Sequence, residues 1–485
     1  MATGSSISTA LNAKPTKAPV RRILSRTRKQ VIDSALPLWE HQRQTLTFAL
    51  NSPVVLDTSD PGTGKTRAHL EAFQQRWQAG SSAKCLILAP KSLLRTAWFQ
   101  DASKFTPELR CSIAYATNRE KAFDEPADVY ITNLDAVKWL VKQSKTWLDR
   151  HFPANSTLIV DEITAFKHRT SQRTKAAMKL SQHFTYRVGL TGTPNPRSVT
   201  ELWAQLFVLD HGAHLGKNFF QFRSATQTPN NRGAFTQWED KPGIELAVAQ
   251  IIADVSVRHE FEKCLSIPPN HTYTRSFSPN DALFTAYEEM RDTCLLELEK
   301  GTIKAVNAAV LQSKLLQILS GASYGDDGYH LIDTERYELI ADLIEEVQHS
   351  VTFFNWRHQK DLISKHLTER DISHAVLDGS IPIKQRETIV RDYQSGELQT
   401  VLLHPQTGAH GLTLTRGTRT IWSSPLFMAD MLIQGKHRIY RGGQTQRTET
   451  ILICAENTIE EQIYTKLMKR TETMFDFLEM LKEGK

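Results

Sequence analysis

Short apolar runs separated by amphipathic stretches set the rhythm of this chain. Val54-Val55-Leu56, Cys85-Leu86-Ile87-Leu88, Val129-Tyr130-Ile131, Leu158-Ile159-Val160 and Arg187-Val188-Gly189-Leu190 read as strands, with helical patterns between them. Strand–helix alternation implies right-handed crossovers and a parallel sheet, so ligands should collect at the carboxyl ends of the strands. From about 201 to 262 the pattern changes to aromatic-rich helix, and Pro268-Pro269 then marks a linker, because neither proline continues a helix. Residues 281–320 read as helix again. A second alternating series follows the turn-like Gly321 to Gly328: Val351-Thr352-Phe353-Phe354, His374-Ala375-Val376-Leu377, Thr400-Val401-Leu402-Leu403, Thr420-Ile421-Trp422 and Thr450-Ile451-Leu452-Ile453. The pattern predicts an α/β protein of two domains. Its expected boundaries are an arm at 1–33, a first lobe at 34–262 and a linker at 263–280. A helical protrusion at 281–322, a second lobe at 323–456 and a terminal helix at 457–485 complete the chain.

Ser59-Asp60-Pro61-Gly62-Thr63-Gly64-Lys65-Thr66 lies between the first strand and a helical pattern, which is the context of a phosphate-binding loop. Gly62, Thr63 and Gly64 would turn backbone N–H groups onto a polyphosphate, Lys65 would reach the β- and γ-phosphates, and the Thr66 hydroxyl would ligate Mg²⁺. Ser59 stands where the commonest form of the motif has its first glycine. Asp161 and Glu162 follow the fourth strand, where a nucleotide motor holds Mg²⁺ and activates water. Thr191-Gly192-Thr193-Pro194 ends the next strand, and its hydroxyls are suited either to a tight turn or to reporting the γ-phosphate state. Far downstream, Arg438 and Arg441 are three apart, so one helical turn places both on one face, suitable for stabilising charge on a transferring phosphoryl group.

Charge and cysteine content sharpen this only a little. The net charge of +6 favours a polyanionic partner, and no acid precedes Asp33, whereas Lys14, Lys17, Arg21, Arg22, Arg26, Arg28 and Lys29 crowd the arm. Such an arm is either a solvated tail, a phosphate grip or a transit peptide. The 5 cysteines form no C-x-x-C pair, which points away from zinc and disulfides and suits a reducing, cytoplasmic setting. No apolar run approaches the roughly 18 residues needed to span a bilayer.

Together these motifs resemble superfamily-two helicases, and within them the Swi/Snf-type DNA translocases. Gln434, Arg438, Arg441, Gly443 and Gln444 match the last motif of that family, Q-x-x-x-R-x-x-R-x-G-Q, and the resemblance runs in order from Leu38 to about Leu467. It implies two RecA-like parallel-sheet lobes with helical insertions, an ATP and Mg²⁺ site in the cleft between them, and DNA as partner through sequence-nonspecific phosphate contacts. By the same resemblance Gln42 reads adenine, Lys65, Thr66, Asp161, Gly411 and Gln434 serve the nucleotide, and Glu162, Arg438 and Arg441 join Lys65 in catalysis. Lys91, Ser92, Asn133, Trp356, Asp378, Gly379 and Thr413 fall on DNA-tracking motifs, Thr191 and Thr193 on a coupling motif, and Thr458-Ile459-Glu460-Glu461 opens a terminal brace. The chain departs from the family at Ile163-Thr164 and at Thr413, where an asparagine is usual. The expected protein is a monomeric, nucleic-acid-stimulated ATPase. Duplex translocation, strand separation or fork remodelling, and a non-hydrolysing ATP switch are all open at this stage.

Overall fold

The computed structural model describes residues 37–194, 198–230, 236–299, 305–325, 328–408 and 412–483. The basic arm and Gly411 lie outside them. Residues from Glu40 onward form one contact unit that contains both sheets.

The first sheet has 7 strands in the order β3-β4-β2-β5-β6-β1-β9. They are β1 (Val54–Asp57), β2 (Cys85–Ala89), β3 (Cys111–Ala114), β4 (Val129–Asn133), β5 (Thr157–Asp161), β6 (Tyr186–Leu190) and β9 (Ser256–Val257). Every pairing in it is parallel. A parallel sheet covered by helices on both faces needs strands that are apolar throughout, and β1, β2 and the apolar part of β5 are buried at each position. Between β6 and β9 the chain inserts the helices Thr200–Asp210 and Phe219–Thr226, an antiparallel hairpin of β7 (Gln227–Asn230) and β8 (Gln237–Asp240), and the helix Ile244–Ile251.

The second sheet runs β10-β17-β16-β13-β15-β14, again parallel at every pairing. Its strands are β10 (Asn270–Phe277), β13 (Ser350–Phe353), β14 (His374–Leu377), β15 (Thr400–Leu403), β16 (Arg419–Trp422) and β17 (Thr448–Ala455). A small hairpin of β11 (Ala322–Gly325) and β12 (Gly328–Leu331) follows the helices Asp281–Glu299 and Ala305–Leu319. The two parallel-sheet lobes with helical insertions are those expected from the pattern of apolar runs.

The structure also differs from that pattern. Residues 263–280, read as a linker, contain β10, which pairs along its whole length with β17 and forms the edge of the second sheet. Its side chains are mostly exposed or half-buried, so no continuous apolar run marked it. β3 likewise lies at a sheet edge, and β9 is only 2 residues long.

The terminal helix Ile459–Glu483 buries Tyr464 and Leu467 in the second lobe's core and also packs against Ile244–Ile251 of the first lobe. At its start the buried Glu460 accepts two hydrogen bonds from Arg336 at 2.9 Å and one from the Ala455 amide at 2.8 Å. Arg336 also donates to the carbonyls of Leu319 and Ser423, tying protrusion, sheet and terminal helix together.

Candidate nucleotide site and interlobe cleft

The phosphate loop leaves β1 at Asp57 and enters the helix Lys65–Gln78 through two left-handed glycines, Gly62 (φ 88°) and Gly64 (φ 80°). Gly62 is required on a second count, because a Cβ there would lie 3.1 Å from the Phe261 ring and 3.2 Å from Arg441 Cβ. Lys65 Nζ donates to the carbonyls of Ser59 (2.5 Å) and Asp60 (3.0 Å), holding the loop curled around it. From the helix Glu40–Asn51, His41 donates to the Thr63 carbonyl at 2.8 Å, and the Gln42 amide reaches the carbonyls of Thr63 (3.4 Å) and Gly64 (3.5 Å). Burial alone would push Asp57 up, but its bond to His69, the His69 and Lys65 charges and the Ser59 amide hold it at about 2.

A segment that carried no motif in the sequence braces the loop from behind. Arg258 donates to the Thr58 carbonyl at 2.6 Å and to Asp60 Oδ1 at 2.7 Å. The Phe261 amide donates to Asp60 Oδ2 at 2.9 Å, and the His259 amide to Ser59 Oγ at 3.0 Å. Burial works to raise Asp60, yet Arg258 in particular keeps its carboxyl below the ordinary value. Phe261 in turn meets the second lobe, standing edge-on to His437 and Tyr440 with centroids 5.4 and 5.3 Å away.

At the end of β5, Asp161 Oδ2 accepts from Trp98 Nε1 at 2.8 Å. Glu162 sits at φ 55°, a left-handed backbone that costs a non-glycine residue of order 1–3 kcal/mol and must be enforced by its surroundings. Its Oε1 lies 3.4 Å from the Gln434 amide of the second lobe, and its Oε2 is buried with no hydrogen-bond partner among the described residues. Burial pushes the Glu162 carboxyl above its ordinary value, against the pull of Lys65 and Arg438. After the next strand, β6, the Thr193 amide donates to Thr191 Oγ1 at 3.1 Å, and Thr193 Oγ1 is buried without a partner among the described residues.

The helix Ala429–Lys436 and the turn after it deliver the arginines from the second lobe. Arg438 Nε donates to the Gln434 carbonyl at 2.9 Å, and both Arg438 and Arg441 donate to the Leu412 carbonyl, at 3.2 and 3.3 Å. Burial lowers Arg438 to about 9, with Arg441 adding to the effect and Glu162 opposing it. Burial also lowers Arg441, which Asp101 of the first lobe offsets. Asp101 itself is raised by burial to about 6, despite Lys104, Arg441 and Arg67. Gln444 turns inward instead, its amide donating to the carbonyls of Thr415, Gly417 and Ile439.

Beside this junction a cleft of about 700 Å³ opens between the lobes. Lys91 and Ser92 line it from the first lobe, and Gly379 and Thr413 from the second. Asp378 turns its carboxylate onto the Ser380 amide (2.9 Å) and hydroxyl (2.5 Å) at the cleft's edge. Asn133 and Trp356 are not among the residues that line this cleft. Asn133 accepts from Arg119 at 3.0 Å, and Trp356 lies parallel to the His358 ring at 6.1 Å. Arg95 and Arg386 line the cleft without having been singled out, because only the fold turns their helices toward it.

The SNF2-related domain family matches residues 41–322, and the helicase conserved C-terminal domain family matches residues 335–443. The chain is 26% identical over 450 residues to p41 of Acyrthosiphon pisum secondary endosymbiont phage 1, covering 87% of this chain and 93% of that protein. It is 25% identical to the uncharacterized ATP-dependent helicase MG018 of Mycoplasma genitalium, covering 83% of this chain but only 38% of the relative. The solved Sulfolobus solfataricus SWI2/SNF2 ATPase core in complex with dsDNA is 20% identical, covers 91% of this chain and 93% of its own, and aligns with a TM-score of 0.44. With the first of those families matching more than half of its length and the helicase C-terminal family matching the second lobe, this chain belongs to the SNF2-related family of helicase-type ATPases.

Proposed function

We propose that the chain is an ATP-dependent DNA translocase that couples ATP hydrolysis to movement along duplex DNA. The observation that carries this reading is the meeting of Lys65 and Glu162 from one lobe with Gln434, Arg438 and Arg441 from the other, beside a cleft lined from both sides. A site divided between two bodies assembles and comes apart as they move, so turnover there is linked to motion in the cleft.

In this reading the loop amides from Gly62 to Lys65 cradle the polyphosphate, with Lys65 leaving the Ser59 and Asp60 carbonyls for phosphate oxygens. Gln42 meets the adenine. Glu162 Oε2 and Thr193 Oγ1, both buried without a partner among the described residues, follow the paired ends of β5 and β6 and would suit a water and a phosphate oxygen. The raised carboxyl of Glu162 suits proton acceptance from that water. Thr66 and Asp161 would hold Mg²⁺, which neutralises phosphate charge when bound. Arg438 and Arg441 spread the charge of the transferring group, an effect of roughly 10³–10⁵ in rate for arginine fingers. Lys91, Ser92, Gly379 and Thr413 grip the DNA backbone from opposite lobes, so affinity falls steeply with salt and varies little with sequence.

The test is ATPase rate with no nucleic acid, single-stranded DNA, duplex DNA, forked DNA and RNA, paired with triplex displacement and strand displacement. Duplex-stimulated hydrolysis with triplex displacement and no strand separation is expected. Strand separation from a fork would instead assign a helicase, and hydrolysis indifferent to DNA would defeat the DNA motor. In the same assay Glu162→Gln should abolish turnover while retaining ATP binding, and normal turnover by that variant would remove Glu162 from its role.

A further inference from the structure

A second concentration of cationic and aromatic side chains lies outside the cleft, on the helical insertion of the first lobe. The helix Phe219–Thr226 is capped by Asn218, whose Oδ1 accepts from the Phe220 amide at 2.9 Å and the Gln221 amide at 3.3 Å. The cap leaves Phe220 54% exposed at the helix start. Arg169, in the turn that follows the acidic pair, lies over Phe219 and Phe220 with its guanidinium carbon 4.4 and 4.7 Å from their ring centroids. Arg223, one helical turn on, lies 4.0 Å over Trp238 of β8 and 5.4 Å from Phe220. Beneath them Phe219 stands edge-on to Trp203 at 5.5 Å, which anchors the group to the core.

Two properties give this patch a chemistry. Among the described residues neither Arg169 nor Arg223 is in an ion pair, and the hairpin's acids are engaged elsewhere. Glu239 accepts from Asn230 at 2.8 Å, and Asp240 from Ser198, Val199 and Gln227 at 2.7, 2.9 and 2.8 Å. Both arginines are half-buried and Arg223 Nε is buried, yet no acid among the described residues neutralises either guanidinium beside the exposed Phe220 ring. The patch also sits on the carboxyl-end rim of the first sheet, between the segment after β5 and the helix that follows β6, as do the loops that supply Lys91 and Glu162. Phosphates complement the guanidiniums, and an unstacked base complements an exposed ring or a guanidinium plane. Bases inside a duplex are already stacked and offer neither face, so this combination selects unpaired strands over duplex.

We propose that Arg169, Phe220 and Arg223 form a contact for unpaired DNA that adjoins the duplex held in the cleft. The inference rests on the DNA reading above, and its test separates the two. Anisotropy titrations compare a labelled duplex with the same duplex carrying a single-stranded extension of about ten nucleotides, a length within the range one stacking platform covers. The wild-type protein is expected to bind the extended DNA more tightly, by roughly five- to 150-fold for each stacked base. Phe220→Ala, at a side chain outside the core, and Arg169→Gln with Arg223→Gln should remove most of that gain. Phe220→Trp should retain it. A wild-type protein indifferent to the extension would overturn the proposal, and so would a Phe220→Ala variant weakened equally on both DNAs. Failure to bind either DNA would defeat the translocase reading and this proposal together.

Discussion

At the scale of single residues, the site is a set of charges held in places that oppose them. Glu162 is buried, its backbone left-handed, and its carboxyl is pushed above the ordinary range by that burial. The cost follows with a definite sign. Below the ordinary carboxyl pKa of 4.5 both folded and unfolded chains are protonated, and Glu162 costs the fold nothing. As pH rises the unfolded chain releases its proton first, so the buried carboxyl increasingly destabilises the native state. Glu162→Gln cannot ionise and should melt at the wild-type temperature in acid, then above it at neutral pH, in a series of thermal melts across that range. An offset that does not vary with pH would assign the difference to packing instead. The residue types at this site were legible in the sequence. Their protonation was not, because it depends on burial first and then on groups brought in from the other lobe, Arg438 and Asp430 among them. Arg258 and Asp101 were missed for the same reason: one completes the phosphate loop and the other faces Arg441, yet each is far in sequence from its partner.

At the scale of elements, the turn that carries the arginines is positioned by the helix before it, Ala429–Lys436, which can approach its sheet closely. A Cβ on Gly435 would lie 2.5 Å from the Trp422 ring and 3.1 Å from Phe353, two rings that stack at 4.1 Å in the core beneath the helix. Gly435→Ala must therefore lift the helix or displace the stack, and such overpacking typically costs about 1–3 kcal/mol. Because Gln434 and Arg438 flank that glycine, the variant should lose ATPase activity beyond what its lowered melting temperature explains. Wild-type values of both would show that the close approach is dispensable. Strands that are apolar from end to end, such as β2, were plain in the hydrophobic pattern. Edge strands such as β10 were not, since half-solvated positions let polar residues in and the proline pair before it suggested a linker.

At the scale of the whole molecule, two further contacts join the lobes beside the Glu162–Gln434 and Asp101–Arg441 meetings. One is the segment Arg258–Glu262, pressed between the phosphate loop and the Lys436–Arg441 turn, where Tyr440 donates to Glu262 at 3.2 Å. The other is the terminal helix, seated in the second lobe through Tyr464 and Leu467 and also packed against Ile244–Ile251 of the first. A chain ended after Lys469 keeps Ile463, Tyr464 and Leu467 and loses the rest of the helix. It should retain cooperative unfolding of the second lobe while its radius of gyration in X-ray scattering rises and its ATPase falls. An unchanged radius and rate would show that the remaining contacts suffice to hold the lobes.

The sequence by itself determined the two parallel α/β series, the phosphate loop with Lys65 and Thr66, the acidic pair after β5 and the arginine pair near the far end. Those are local patterns, set by backbone geometry and by residue types a few positions apart. Only the tertiary structure decided that Glu162 and Gln434, 272 residues apart, would touch, that Asp60 would be held by Arg258, and that Lys91 and Thr413 would line one cleft while Trp356 would not. Proximity between lobes comes from the packing of whole elements, and no spacing along the chain encodes it.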